Sequence, residues 1–560
     1  MQFPISKIIS DQKYLSLKAD LSLFGENQNV NSVLWKMKSK VAPKRQKAQV
    51  TAKFDLSGNI VTAPERLKSV YLKHFVQRLR HRPMRPEYEE LKYLKELLCY
   101  QRLDLVKAKE FEPWTSGQLD FVLNKLKKNK SSDPYGIISE LLRPELIGSD
   151  LKKTLLIILN KIKSEMIIPD LMFPVNIMTV FKGKGSQQDL MNQRGIFIIN
   201  KFRDVLMKMI YHEEYDILDS NMSDSNIGGR KNKNIRNHLF IINGIINDAL
   251  RKKICIDLII LDYRVCFDSL WIEEVINDLF ETGVDNRNLA LIYEANKVNE
   301  VSVITPSGKT ETERVERIVM QGETLAPLEC SVQVDTLGKE CVEEDKHMFV
   351  YKKTVKVPPL SMVDDIIAVS KCGSDTVETN AFLNAKTNVK KLQYGETKCV
   401  KMHVGSDKTV CPDLNIDTWK VKSVKNHETN KYEISDEVGD KYVIKDTEKQ
   451  LYLGDYLASD GTNTLNLTKR KQKGFVIINQ ILSMLEEGFY GKHFFKAASL
   501  LRDSLFLNSI LLNTEVCYNL SLKDVRILKV VDNRLVSLNV TLEHLSVSCF
   551  LNCLLFRFVS

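Results

Sequence analysis

The chain of 560 residues has no Cys-x-x-Cys pair, no internal repeat, no low-complexity tract and no apolar run of membrane-spanning length. Each absence removes a class of protein. The eleven cysteines are scattered and odd in number, and the closest two, Cys549 and Cys553, have no histidine after them at zinc-ligand spacing. Without a signal-peptide pattern, this usage predicts free thiols in a reducing compartment rather than a disulfide framework. The lack of a long apolar run excludes a membrane-spanning helix. The expected setting is intracellular, nuclear or cytoplasmic, with no membrane partner. Charge is not one-sided, but a net +10 favours a polyanionic partner. At 43% hydrophobic residues the chain can bury several cores of ordinary domain size.

The basic residues are grouped. Lys36, Lys38, Lys40, Lys44, Arg45 and Lys47 form one group, Arg78, Arg80, Arg82 and Arg85 a second, and Lys469, Arg470, Lys471 and Lys473 a third. Such groups suit phosphate contacts that position a nucleic acid without reading its sequence. Each alone also fits a solvated face, and the first also fits a nuclear-import signal.

The chemistry centres on Met362-Val363-Asp364-Asp365-Ile366-Ile367-Ala368-Val369. Adjacent carboxylates repel, and burying either one unpaired is costly. An apolar strand, an Asp-Asp tip and a second apolar strand make sense if a cation sits at the tip. Carboxylates together with substrate phosphates suit Mg²⁺. A third carboxylate is found upstream, where Leu258-Ile259-Ile260-Leu261 reads as a buried strand ending at Asp262. Two such strands side by side can share a pair of metal ions, and such a pair clamps the attacking and leaving oxygens of a phosphoryl displacement.

Further motifs follow in order along the chain. They are Phe181-Lys182-Gly183-Lys184-Gly185 with Asn192-Gln193-Arg194-Gly195-Ile196, then Asp262 to Phe267, then Gln321-Gly322-Glu323-Thr324-Leu325-Ala326-Pro327-Leu328. After Asp364-Asp365 come Tyr394-Gly395-Glu396-Thr397-Lys398 and Leu451-Tyr452-Leu453-Gly454. Taken singly these are a solvated turn, a core phenylalanine, a turn before a helix, an exposed lysine and an ordinary strand. As an ordered set, from about Trp35 to about Arg534, they resemble the reverse transcriptases of non-LTR retrotransposons. The resemblance implies an α/β (α+β) right-hand polymerase fold of fingers, palm and helical thumb. It implies an RNA-directed DNA polymerase with Asp262, Asp364 and Asp365 as catalytic metal ligands for two Mg²⁺ or Mn²⁺ ions. Lys398 is then expected beside the leaving pyrophosphate, Lys182 and Arg194 on the triphosphate, and Phe267 against the sugar. Gln321 and Gly322 are expected to hold template and incoming nucleotide. The implied partners are an RNA template, a DNA primer or target, and dNTPs.

On that reading residues 1–110 are a charged, largely helical region, 111–405 the fingers and palm, and 406–450 a polar connection. Residues 451–535 are the primer-grip hairpin and helical thumb, and 536–560 an atypical apolar tail. Locally, Glu89 to Leu105 has Leu91, Leu94, Leu97 and Leu98 at helical spacing, Thr115 is a candidate N-cap, and Ser132-Asp133-Pro134-Tyr135-Gly136 has the chemistry of a turn. Phe475 to Leu512 is apolar at helical spacing.

Two features depart from the family. The chain stops at Ser560 without Cys/His knuckles or a nuclease segment, and Leu535 to Ser560 has only Glu543 and Arg557 charged. That composition fits a truncation with a changed or degraded end, or a final buried strand pair. The first palm motif has Arg264-Val265-Cys266 before Phe267, where Lys-Ala is common, and Cys266 reads as a small packing residue. A catalytically inactive nucleic-acid-binding remnant is the alternative expectation. A metal-dependent RNA polymerase with a similar palm would be expected to carry a smaller or polar residue at position 267.

Overall fold

A computed structural model describes residues 52–55, 58–79, 88–105, 111–183, 185–264, 266–316, 319–405, 412–425, 432–486, 523–527 and 529–530. The basic groups at 36–47 and 80–85, Lys184, Val265, the thumb segment 487–512 and the apolar tail lie outside them. The chain is a mixed α/β protein. It divides into a larger unit, Gln49–His238 with Ala249–Glu448, and a smaller one that holds Leu239–Asp248 and the chain from Lys449. Among the described residues no helix is long and apolar enough to cross a membrane.

After two short paired strands, Lys53–Phe54 and Ile60–Val61, come helices α1 (Pro64–Leu79), α2 (Glu89–Asp104), α3 (Ser116–Asn124) and α4 (Ser149–Glu165). Strands β1 (Pro174–Phe181) and β2 (Gln193–Ile199) form a hairpin, and helices α5 (Lys201–Asn221) and α6 (Ile235–Lys252) lead to β3 (Ile256–Asp262). Helices α7 (Ile272–Glu281) and α8 (Asn286–Lys297) pass to β4 (Val298–Thr305), and α9 (Ala326–Glu343) precedes a second hairpin, β5 (Leu360–Met362) and β6 (Asp365–Lys371). Helix α10 (Ser374–Val389), strand β7 (Val400–Val404), a long hairpin β8 (Asn415–Lys425) and β9 (Tyr432–Val443), and a short strand β10 (Lys445–Asp446) complete the larger unit.

The central sheet has the order β5-β6-β3-β7-β10, antiparallel except for the β7–β10 pair. Every residue of β3 before Asp262 is buried, because side chains alternate between two covered faces. A second sheet joins β2 to β1 antiparallel and β1 to β4 in parallel. Its core is built with α1 from Tyr71, Phe75, Val175, Ile177, Phe197, Val301 and Val303.

Several local expectations hold. Thr115 caps α3 in a reciprocal box with Gln118, whose backbone N–H donates to Thr115 Oγ1 at 3.3 Å. Asp133 closes its turn by accepting from the N–H groups of Tyr135 (2.9 Å) and Ile137 (2.8 Å), while its other oxygen accepts from Lys201 at the start of α5.

Two segments gain detail and one expectation needs correcting. Helix α2 forms as the spacing predicts, with its leucine stripe largely exposed: Leu94 is 53% exposed and Leu97 42%. The helix docks through cations, with Lys95 on Glu274 and Arg102 on Asn277 and Glu281, because the side of α7 that it meets is acidic. The segment read as a polar connection contains the β8–β9 hairpin, whose ladder is interrupted between Asp417 and Trp419. Arg470 is no surface phosphate contact; it is 7% exposed and its Nη2 donates to Asp455 Oδ1 at 2.6 Å.

That pair belongs to the smaller unit. Its hairpin, β11 (Lys449–Tyr452) and β12 (Asp455–Ala458), turns at Leu453-Gly454, both at positive φ. Helix α11 (Thr464–Glu486) is latched to it by Arg470 and by Asn466, which accepts from the N–H of Tyr456.

Candidate active site

The β5–β6 hairpin turns at Val363-Asp364, with Met362 opposite Asp365. The tip is therefore one residue earlier than an Asp-Asp tip, and Asp365 is the first residue of β6. Val363 takes φ +57°, a costly left-handed conformation for a β-branched residue. The segment before α6 holds it there. The N–H of Ser361 donates to Ser225 O at 2.9 Å, and that of Ile227 donates to Ser361 O at 3.0 Å. Gly228 then lies so close that a Cβ on it would fall 2.6 Å from the N of Val363. Nothing in the sequence marks Asn226-Ile227-Gly228 as a support for the aspartate turn.

This turn sets the register that matters. Asp365 stands directly opposite Asp262, and Tyr263 donates its N–H to Asp364 O at 3.2 Å. Like charges directly opposed across a strand pair are destabilising. Burial pushes the Asp365 carboxyl up to about 7, helped by the charges of Asp364 and Asp262. Burial also raises Asp262, against the pull of Lys398.

Lys398 forms an ion pair with Asp262 while its side chain stays 60% exposed. It is delivered by a turn in which Gly395 donates to Asp262 O at 2.8 Å and Lys398 donates to Gly395 O at 3.0 Å. Tyr394 anchors that turn by stacking on Tyr263 at a ring separation of 5.1 Å. The cation found on Asp262 is thus Lys398, whereas Arg264 is tied through its backbone N–H to Gln393 O at 2.7 Å.

Phe267 lies on the next helical turn, Cys266–Ser269, half-buried against the main core. Cys266 is a packing residue as expected, buried with its sulfur 2.8 Å from that of Cys330 on α9.

The Gln321-Gly322 loop rests on β2. Phe197 donates to Gln321 O at 3.4 Å, and Gly322 takes φ +118°, where a side chain would be strained and its Cβ would fall 3.2 Å from Phe197 O. The next residue, Glu323, is buried and paired with the fully buried Arg203, whose Nε donates to Oε1 at 2.9 Å. Glu329 beside them is pushed up to about 8 by burial and by Glu323. Arg203 gave no signal in the sequence, since a lone cation in an amphipathic helix reads as a surface residue.

Strand β2 also carries Arg194, which is exposed and faces Val180 across the hairpin. Lys182 lies just past β1, exposed, with its Nζ donating to Met191 O at 2.8 Å. The structure thus brings together Asp262, Asp364, Asp365 and Lys398, with Phe267 on the following turn. It joins Arg194, Gln321 and Gly322 through β2.

Three carboxylates from two paired strands are a hard oxygen set of the kind that holds Mg²⁺ or Mn²⁺. Their oxygens are not drawn within 4.8 Å of one another; among the described residues the group gathered that closely is Cys255, Cys372 and His403. No protein-family model matches the chain, and no curated protein matches it. The chemistry rests on the site's own residues.

Proposed function

We propose that the chain is an RNA-directed DNA polymerase, joining deoxynucleotides to a primer 3′-hydroxyl on an RNA template, of the kind found in non-LTR retrotransposons. The observation that carries this reading is the register of the central sheet, with Asp262 opposite Asp365 and Asp364 in the adjoining turn. A structural carboxylate trio has no reason to retain that repulsion; a two-metal nucleotidyl-transfer site does.

On this reading the central sheet is the palm, and the β1–β2 hairpin with its helices belongs to the fingers. The β11–β12 hairpin grips the primer and α11 begins the thumb. Mg²⁺ or Mn²⁺ held by Asp262, Asp364 and Asp365 would supply Lewis acidity to the primer hydroxyl and the triphosphate. Lys182 and Arg194 offset triphosphate charge, and Lys398 gives a proton to the departing pyrophosphate. Phe267 excludes a 2′-hydroxyl, which favours DNA synthesis over RNA synthesis.

A second reading, a nucleic-acid-binding remnant without turnover, draws support from the Lys398–Asp262 pair, since a cation on a metal-ligand carboxylate competes with the metal. Primer extension on an RNA template with Mg²⁺ and dNTPs, beside Asp364→Asn, decides between them. Extension by the wild type alone supports the polymerase. Template binding without extension supports the remnant.

A further inference from the structure

The end of the central sheet remote from Asp364 carries a different donor set. Cys255 precedes β3 directly and Cys372 follows β6 directly, one step beyond the registered pair Ile256–Lys371. His403 lies on β7, opposite Asp257 of β3. Because β3 is antiparallel to both neighbours, its first residues meet their last ones, and residues far apart in sequence converge. One ligand atom from each of Cys255, Cys372 and His403 lies within 4.8 Å of the other two.

We propose that Cys255, Cys372 and His403 hold a thiophilic divalent cation, Zn²⁺ first among them, that clasps the ends of β3, β6 and β7. Neither cysteine is in a disulfide, and both are half-buried. The sulfur of Cys372 lies 3.5 Å from His403 Nδ1, against the ring whose Nε2 is the candidate ligand.

A second, independent observation points to a ligand. The His403 side chain is only 8% exposed, and its Nε2 is buried without a hydrogen-bond partner among the described residues. A buried nitrogen left in that state costs free energy that a metal bond would offset. Asp257 provides the orienting carboxylate that metal-bound histidines usually have: Oδ1 lies 2.9 Å from Nδ1, and Oδ2 accepts from Thr376 Oγ1 at 2.8 Å. Three protein ligands leave a fourth position for water.

The test uses the full-length protein, reduced and stripped with a chelator, with Co²⁺ as a spectroscopic stand-in for Zn²⁺. The wild type is expected to develop thiolate-to-cobalt charge-transfer absorption and four-coordinate visible bands, saturating at one ion per chain and displaced by Zn²⁺. Cys255→Ser and Cys372→Ser each lose much of the charge-transfer band. Asp257→Asn keeps the bands but binds about tenfold more weakly. A measurement that needs no variant is alkylation mapped by mass spectrometry, where Zn²⁺ is expected to slow modification of Cys255 and Cys372. A wild type without charge-transfer absorption overturns the proposal. So do alkylation rates indifferent to Zn²⁺, or a Cys372→Ser protein that binds Co²⁺ as tightly as the wild type.

Discussion

Strands β3 and β6 run antiparallel for seven registered pairs, from Asp262 opposite Asp365 at one end to Ile256 opposite Lys371 at the other, where Cys255 and Cys372 follow. A ladder of that length separates its ends by about 20 Å. One end bears three carboxylates and a lysine, the other two thiols and an imidazole. The carboxylate oxygens stand apart, whereas the sulfur and nitrogen atoms gather within 4.8 Å. The donor chemistry differs accordingly, hard carboxylate oxygens at one end and thiol sulfur with imidazole nitrogen at the other. One ladder thus presents donors suited to a hard cation at one end and to a thiophilic one at the other.

The sharpest way to break this comparison is Asp364→Asn. Primer extension is expected to fall by about 10³-fold or more while template binding stays within a few-fold. Cobalt–thiolate absorption at the other end should not change. Retained synthesis would sink the carboxylate assignment, and loss of both signals would mean that the two ends are not independent. Next in size is Arg203→Met, which leaves Glu323 buried without its partner beside Glu329. It should cost about 3–5 kcal/mol in urea unfolding of the larger unit. A cost under about 1 kcal/mol would remove the Arg203–Glu323 pair as the support of the Gln321-Gly322 loop.

These two sites were not equally legible in the sequence. Asp262, Asp364 and Asp365 could be read because an apolar strand ending in a carboxylate is a local pattern, and so could the cap at Thr115. Which residue forms the turn could not: the tip falls on Val363-Asp364 because Gly228 and Ser225, more than a hundred positions away, hold β5. The docking of α2 could not be read either, because helical periodicity says which residues share a face but not what the neighbour offers, and α7 offers Glu274 and Glu281. The Cys/His cluster was invisible for a similar reason. Its members are brought together by the antiparallel pairing of β3 with both β6 and β7, and no local spacing encodes that.

Phe267→Ala sharpens the carboxylate end alone. Removing the ring should raise incorporation of ribonucleotides relative to deoxynucleotides by about tenfold or more, with little change in dNTP use. An unchanged sugar preference would assign Phe267 to the core, against which it already packs.

The smallest expected effect is on stability, and it differs in sign from the effect on activity. Asp365 has a folded-state pKa of about 7 against an ordinary 3.8, raised by burial and by its two acidic neighbours. A carboxyl raised on folding binds its proton more tightly in the folded state, so its contribution is fully present below the ordinary value and lost as pH rises through about 7. Asp365→Asn keeps the shape and removes the charge. Without divalent cation the variant should match the wild type near pH 4 and exceed it at pH 8 by about 1–2 kcal/mol, a figure reduced for partial exposure. Saturating Mg²⁺ should close that gap by stabilising only the wild type, although the variant makes no DNA. If Asp365→Asn unfolds before the wild type at pH 8 without cation, the carboxylates are not held together against repulsion. Cys372→Ser has no such reason to gain stability with pH, which makes the paired titration a direct measure of how the two ends differ.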